Sequence, residues 1–270
     1  MIAIRKGAAP LSLLSAGEDH ARELCAAYEA NPEAYQSGET KMSIRESIYK
    51  LPEVKDALEA CHHGKCCYCE TVIPKPFAHS QIEHWRPKSC SRQEPNAERV
   101  RPGYYWLAYS WENLLLSCHF CNTINKRDLF PLENPATRAR HHGTSLEDES
   151  PAILKPDGDA DPRNHITFDE DVPKRLSPLG QKTIEVLGLD STKHTQRRKF
   201  LATIRADRKL YMDLMNSPDP IARQYAQAKR RSLEEANLPD KPYSSMMASF
   251  LASNPLPDPA EQITMGAGGG

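Results

Sequence analysis

No stretch of this chain stays apolar for long. The opening Met1-Ile2-Ala3-Ile4 run breaks at Arg5-Lys6, too short to span a bilayer or to form the apolar region of an export signal. No membrane association is therefore expected, and the expected location is the cytoplasm. The chain also lacks a Gly-rich phosphate loop ending in Gly-Lys-Ser/Thr, so any dependence on ATP has to come from another protein. Internal repeats are absent, and no heptad series is long enough for a coiled coil. Neither sign of charge dominates: 35 Lys and Arg stand against 36 Asp and Glu, a net charge of −1 over 270 residues. Bulk charge thus argues neither for nor against a polyanionic partner.

Cysteine is what the chain does have. With no export signal, its eight cysteines point to metal-binding thiols rather than to a disulfide framework. Four of them form two C-x-x-C pairs, Cys66/Cys69 in GKCCYCE and Cys118/Cys121 in LLSCHFCN. Two such pairs complete a tetrahedral four-sulfur zinc site, closed to water and therefore structural. Cys67 lies inside the first pair and is a rival ligand, but the two-residue spacing favours Cys66 with Cys69. Cys25 and Cys61 fall on apolar helix faces and are expected to be core residues. Cys69 and Cys118 have 48 residues between them, so the zinc would pin the base of a long excursion.

The excursion carries the chemistry. Gln81-Ile82-Glu83-His84-Trp85 is short, partly alternating and followed by Arg86-Pro87, which predicts a strand. Neighbouring side chains on a strand point to opposite faces. Glu83 and His84 can flank one site only if the strand end twists or bulges. In that case the carboxylate can hold a hard cation and the imidazole can activate water. A second strand is expected over Asn113–Ser117. Asn122 follows Cys121 directly, so whatever fixes the thiolate fixes the amide. Lys126 and Arg127 come about one helical turn later and, with Arg86 and Lys88, are candidate phosphate contacts.

Charge is uneven along the chain. From Cys61 to Phe130 nine Lys/Arg oppose six Asp/Glu, a surplus of +3, and from Lys193 to Lys209 seven oppose one, a surplus of +6. From Ser145 to Asp171 nine acids oppose two bases, a balance of −7, which could screen the site or face a basic partner. Tyr104, Tyr105, Trp106, Tyr109 and Trp111 form the densest aromatic group, expected to pack a core rather than to stack bases. His62 and His63, at a helix end, are expected on the surface. His79 precedes the first strand, but nothing in the spacing requires it at the site.

In sequence order, C-x-x-C, then Glu83-His84, Asn113 in WENLLLSC, C-x-x-C-Asn122 and Lys126, this stretch resembles the HNH endonuclease family. The strings CCYCE, IEHWRPKS, YYWLAYSWENLLLSC, CNTINKRDLFPL and SPLGQKTIEVLGLD look more narrowly like the HNH nucleases of Septu and retron anti-phage systems, the PtuB type. The resemblance implies a ββα-metal core, with His84 as general base and Asn113 bonding backbone to orient the loop of the base. It also implies that Glu83 and Asn122 ligate a catalytic Mg²⁺ or Mn²⁺. Glu83 stands where that family usually has Asp, and Asn122 where it often has His. The implied activity is hydrolysis of phosphodiester bonds, with DNA favoured over RNA. The implied partners are nucleic acid, a PtuA-type ATPase and, in some systems, a retron reverse transcriptase with its DNA–RNA product. The alternative is a zinc-ribbon module that binds nucleic acid or serves as an adaptor without catalysis.

The expected fold is α+β and mostly helical, with the zinc-stapled HNH core flanked by helical segments. The expected segments are N-terminal helices over 1–60, the nuclease core over 61–135, a Pro-rich acidic connector over 136–180, C-terminal helices over 181–253 and a disordered tail over 254–270. Within these, residues 1–16 read as an extended arm. Helices are expected over Glu18–Ala30, from the Ser43–Glu46 capping box through Lys50, and from Pro52 to Gly64. Ser89–Pro102 reads as an exposed loop. Asn164–Phe168 suggests a strand. Helices follow over Gln181–Leu187, Thr192–Met215, Ile221–Glu235 and Tyr243–Leu251.

Overall fold

The structure is a computed structural model that describes residues 1–74 and 80–258. His79 and the tail beyond residue 258 lie outside the described residues.

The chain begins with α1 (Leu11–Ala30), α2 (Pro32–Ser37), α3 (Glu46–Tyr49) and α4 (Pro52–His62). Two short antiparallel strands follow, β1 (Ser80–His84) and β2 (Leu114–Cys118), with His84 opposite Leu114 and Ser80 opposite Cys118. A π-helical segment, Phe120–Lys126, leaves β2 at once. A second antiparallel pair, β3 (Ile166–Asp169) and β4 (Val172–Arg175), leads into α5 (Pro178–Leu187), α6 (Thr195–Leu214), α7 (Pro220–Glu235) and α8 (Ser244–Ser253). Among the described residues, no helix is long and apolar enough to cross a membrane.

Burial organises these elements into two apolar clusters. One draws residues from Met1 through Leu189 and centres on β2, whose Leu114, Leu115 and Leu116 have no exposed surface. The other joins α6, α7 and α8 through Leu201, Tyr211, Leu233 and Met247, with Phe168 of β3 packed against both clusters. The stretch expected to be only a connector contributes Ile153, Leu154 and Ile166 to the first cluster. Its Arg138 and Glu149 are buried as well, tied together through the Tyr104 hydroxyl, which donates to Glu149 and accepts from Arg138.

Several boundaries differ from the expectation, each for a local reason. α1 starts at Leu11, inside the stretch read as an arm, without a side-chain cap. Gly17 hides this in the sequence, because it looks like a helix breaker. Here its missing side chain lets Tyr109 approach, and a Cβ would lie 2.8 Å from that of Tyr109. The rest of the arm is held at its side chains and backbone: Lys6 donates to the carbonyls of Trp111 and Leu114, and the Trp111 indole donates to the carbonyl of Gly7. The Ser43–Glu46 capping box does not form. α3 begins after Arg45 with no side-chain cap, and Tyr109 accepts the Arg45 amide instead.

Ser89–Pro102 is not a free loop. Ser91 is fully buried and bridges to Val100, while Arg92 runs parallel to Leu129. His62 is not a surface residue. It is 2% exposed, its Nδ1 donates to the Leu58 carbonyl at 2.6 Å, and its Nε2 accepts the Leu116 amide at 3.3 Å. A helix-end histidine thus pins α4 to β2, a role its position in the sequence does not signal.

Candidate metal and active-site cleft

The four sulfurs of Cys66, Cys69, Cys118 and Cys121 lie within 4.8 Å of one another. Cys69 and Cys118 are 3.8 Å apart. A tetrahedral ion with sulfurs at about 2.3 Å requires neighbouring sulfurs about 3.8 Å apart, so the cage fits zinc. Its local structure follows from the knuckle turns. The Glu70 amide donates back to the Cys66 carbonyl with Glu70 at φ 60°, and the Cys121 amide points at the Cys118 sulfur at 3.5 Å. Hydrogen bonds from Cys118 and Cys121 lower the Cys69 thiol well below its usual range, whereas burial pushes the Cys66 thiol up. One thiolate is favoured, and loading all four calls for a cation. Cys67 is not one of the four clustered thiols, and its amide donates to the Leu116 carbonyl of β2.

This anchor fixes what comes next to it. β1 lies on β2, and the backbone continues one step further, with the Trp85 amide donating to the Asn113 carbonyl. Asn113 sits in the short turn before β2, so the strand starts one residue later than expected. Its Oδ1 accepts the Arg86 amide at 2.8 Å, and its Nδ2 donates to the carbonyls of Arg86 and Leu107. The loop leaving β1 is thereby clamped from a fixed point on β2.

His84 is 6% exposed, with its Nε2 2.9 Å from the Ala108 carbonyl. A carbonyl only accepts, so Nε2 carries the proton and Nδ1 is left with a free lone pair. Tyr49 of α3 packs edge-on against the ring at 4.7 Å. Burial, seconded by the Lys88 charge, holds the imidazole well below its usual range and hence neutral.

His84, Glu83, Asn122, Lys88, Arg127 and Asp128 line one cleft of about 160 Å³. Adjacent residues of β1, Glu83 and His84, thus border the same space. A larger hollow of about 480 Å³ shares Ile82, Lys88 and Asn122 with it and adds Lys50, Lys55 and Gln81. Of the four candidate phosphate contacts, two are turned elsewhere. The Arg86 guanidinium pairs with Glu149 at 3.0 Å and stacks on Trp85. The Lys126 ammonium is buried 2.7 Å from Glu83. Lys88 and Arg127 remain at the cleft.

Sequence reasoning missed Tyr68, whose hydroxyl donates to Glu83 at 3.3 Å, and Asp128, which holds Arg92 and Arg99 through both carboxylate oxygens. It also missed Gly103. At φ 77° it lies so close to the cleft wall that a Cβ would meet the Cys90 amide nitrogen at 2.5 Å. Adjacency offered a signal for Tyr68, inside the first knuckle, and for Asp128, two residues past Lys126. Nothing local marks Gly103.

The arrangement defines a class: a four-thiolate anchor beside a strand pair and a helical segment, with, around one cleft, a carboxylate, an amide and an imidazole nitrogen that has no hydrogen-bond partner among the described residues. Two curated proteins resemble the chain, and both are named Septu protein PtuB. The one from Bacillus mycoides strain KBAB4 is 39% identical over 157 residues, 57% of this chain and 52% of that relative. The one from Bacillus thuringiensis is 27% identical over 217 residues, 77% of this chain and 72% of that relative. The first match thus spans about half of that relative's length. No family model and no solved structure matches the chain.

Proposed function

We propose that this protein is a metal-dependent HNH-type endonuclease that hydrolyses phosphodiester bonds of nucleic acid, with DNA the favoured substrate. The observation that carries the proposal is the His84 imidazole, held by Ala108 with Nδ1 unprotonated, in a cleft shared with Glu83 and Asn122. In this reading β1, β2 and the π-helical segment are the ββα core.

Glu83 and Asn122 offer two oxygen donors to one space, a set suited to Mg²⁺ or Mn²⁺. When bound, such an ion supplies Lewis-acid stabilisation of charge on the scissile phosphate. The chain's own groups do the rest. His84 takes the proton of the attacking water at Nδ1. Ala108 keeps the ring in the accepting tautomer, and Asn113 holds the loop that follows it. Lys88 and Arg127 meet substrate phosphates from the cleft walls, with salt-sensitive affinity. The zinc cage does no chemistry and holds both ends of the excursion together.

The names of the two relatives support a place in Septu-type anti-phage defence. There the chain would act with a PtuA-type ATPase and, in retron-linked systems, with a reverse transcriptase and its DNA–RNA product. A test is cleavage of plasmid DNA and of RNA with Mg²⁺ or Mn²⁺, with and without chelator, alone and after co-expression with an ATPase partner. Metal-dependent cutting that disappears in His84→Ala supports the proposal. Binding without cutting under every condition would favour the non-catalytic zinc module.

A further inference from the structure

Lys126 has no exposed surface, yet it carries a charge into the core. Its ammonium lies 2.7 Å from Glu83 Oε1 and donates to the His84 carbonyl at 3.2 Å. Tyr68 donates to the same carboxylate oxygen. Glu83 is itself 2% exposed. Lys126 closes the π-helical segment that starts at the second knuckle, and Tyr68 sits within the first. Each half of the thiolate cage therefore sends one side chain to Glu83.

We propose that Lys126 is a built-in counter-cation for Glu83: it holds the carboxylate at the cleft when no divalent ion is there, and a divalent ion binds at Glu83 against its charge. The inference rests on the reading that Glu83 ligates the catalytic cation. A buried carboxylate without an opposite charge is strongly unfavourable, so a site waiting for an ion needs a substitute. An ammonium on a flexible stem serves, because it pairs as a point charge and can shift aside within a short distance. A divalent ion sits about 2 Å from its carboxylate oxygen, within roughly 5 Å of this ammonium. Even at the screening of bulk water, that repulsion lowers affinity by about tenfold. Lys126 is thus a positioning residue that sets the ion concentration at which the cleft fills.

The experiment is Mn²⁺ binding by titration calorimetry on the zinc-loaded protein, with zinc content and melting temperature followed in parallel. Wild type, Lys126→Met, Glu83→Gln and the double variant are compared. Lys126→Met is expected to bind Mn²⁺ about tenfold tighter, to melt lower without Mn²⁺, and to gain more from Mn²⁺ than wild type does. The double variant is expected to melt above Glu83→Gln, because it no longer buries an unpaired ammonium. Equal or weaker binding by Lys126→Met, with zinc retained and Glu83→Gln still abolishing binding, overturns the proposal and leaves Glu83 as a ligand. Wild-type binding that Glu83→Gln does not alter removes both. If Lys126→Met folds only with Mn²⁺, the counter-cation role stands; if it stays unfolded at saturating Mn²⁺, that role is overturned.

Discussion

The two basic stretches of the chain put their charge to different uses. The larger surplus, over Lys193–Lys209, falls mainly on α6, and three of its seven bases pair with acids of this chain. Arg198 pairs with Asp171 and Arg205 with Glu170, both acids at the turn between β3 and β4, while Lys209 pairs with Asp213 along its own helix. Arg197 is buried, donates to the Leu189 carbonyl and stacks on Phe168. Two acids at the end of the acidic run thus face this chain's own basic helix. The smaller surplus, around the knuckles, leaves Lys88 and Arg127 beside His84. The difference teaches that a charge excess along the sequence measures composition, whereas the field at a surface depends on which acids the fold brings alongside.

The sharpest way to break the contrast is to remove the anchor. Cys121→Ser is expected to abolish zinc retention and the cooperative melting of the region around β2, because metal binding at such cages contributes on the order of 10 kcal/mol to folding. Zinc content and circular dichroism measure it. Retention of zinc and of a sharp transition would mean that the apolar cluster alone holds Asn122 in place. His84→Ala comes next. Cleavage is expected to fall by at least roughly 100-fold while zinc stays bound. The variant also orphans the Ala108 carbonyl, so a stability loss of about 1–3 kcal/mol accompanies it. Assays should therefore run well below the melting temperature of the variant.

Much of this was legible in the sequence because its signals were local. The C-x-x-C pairs, the Glu83–His84 strand and the placing of Asn122 beside Cys121 are all short-range patterns. So are Gly188, which ends α5 in the left-handed conformation, and the apolar spacing of α6. What could not be read depended on partners far along the chain. Whether Lys126 faces water or Glu83 is settled by a residue 43 positions earlier. Whether Arg86 is free depends on Glu149, and whether His62 is buried depends on Leu116. A charged residue declares its chemistry in the sequence, but only tertiary packing declares whether that chemistry is spent.

His62 gives a test by pH of how firmly α4 holds β2. Burial lowers this imidazole to about 4 from the usual 6.5. Below pH 6.5 the unfolded chain takes up a proton that the folded chain refuses. Stability from this group is therefore intact above about 6.5, falls as pH drops toward 4, and changes no further below that. The full span corresponds to roughly 3 kcal/mol. Carboxylates titrate in the same window. The quantity to measure is thus the difference in unfolding free energy between wild type and His62→Gln across it. A difference that does not change with pH would mean that water reaches the ring.

The smallest effects separate the two basic regions most directly. If Lys88 meets one phosphate, Lys88→Ala should reduce the slope of log affinity against log salt by about 1, with DNA binding followed on the cleavage-defective His84→Ala background. Arg205→Ala should leave that slope unaltered, because its guanidinium already faces Glu170. It should alter stability by less than about 1 kcal/mol, since the pair is half-exposed and solvent-screened. Equal slopes for Lys88→Ala and wild type, with a reduced slope for Arg205→Ala, would move the nucleic-acid face from the cleft to α6. The acids of the β3–β4 turn would then be a cover that the substrate displaces, not a permanent neutralisation.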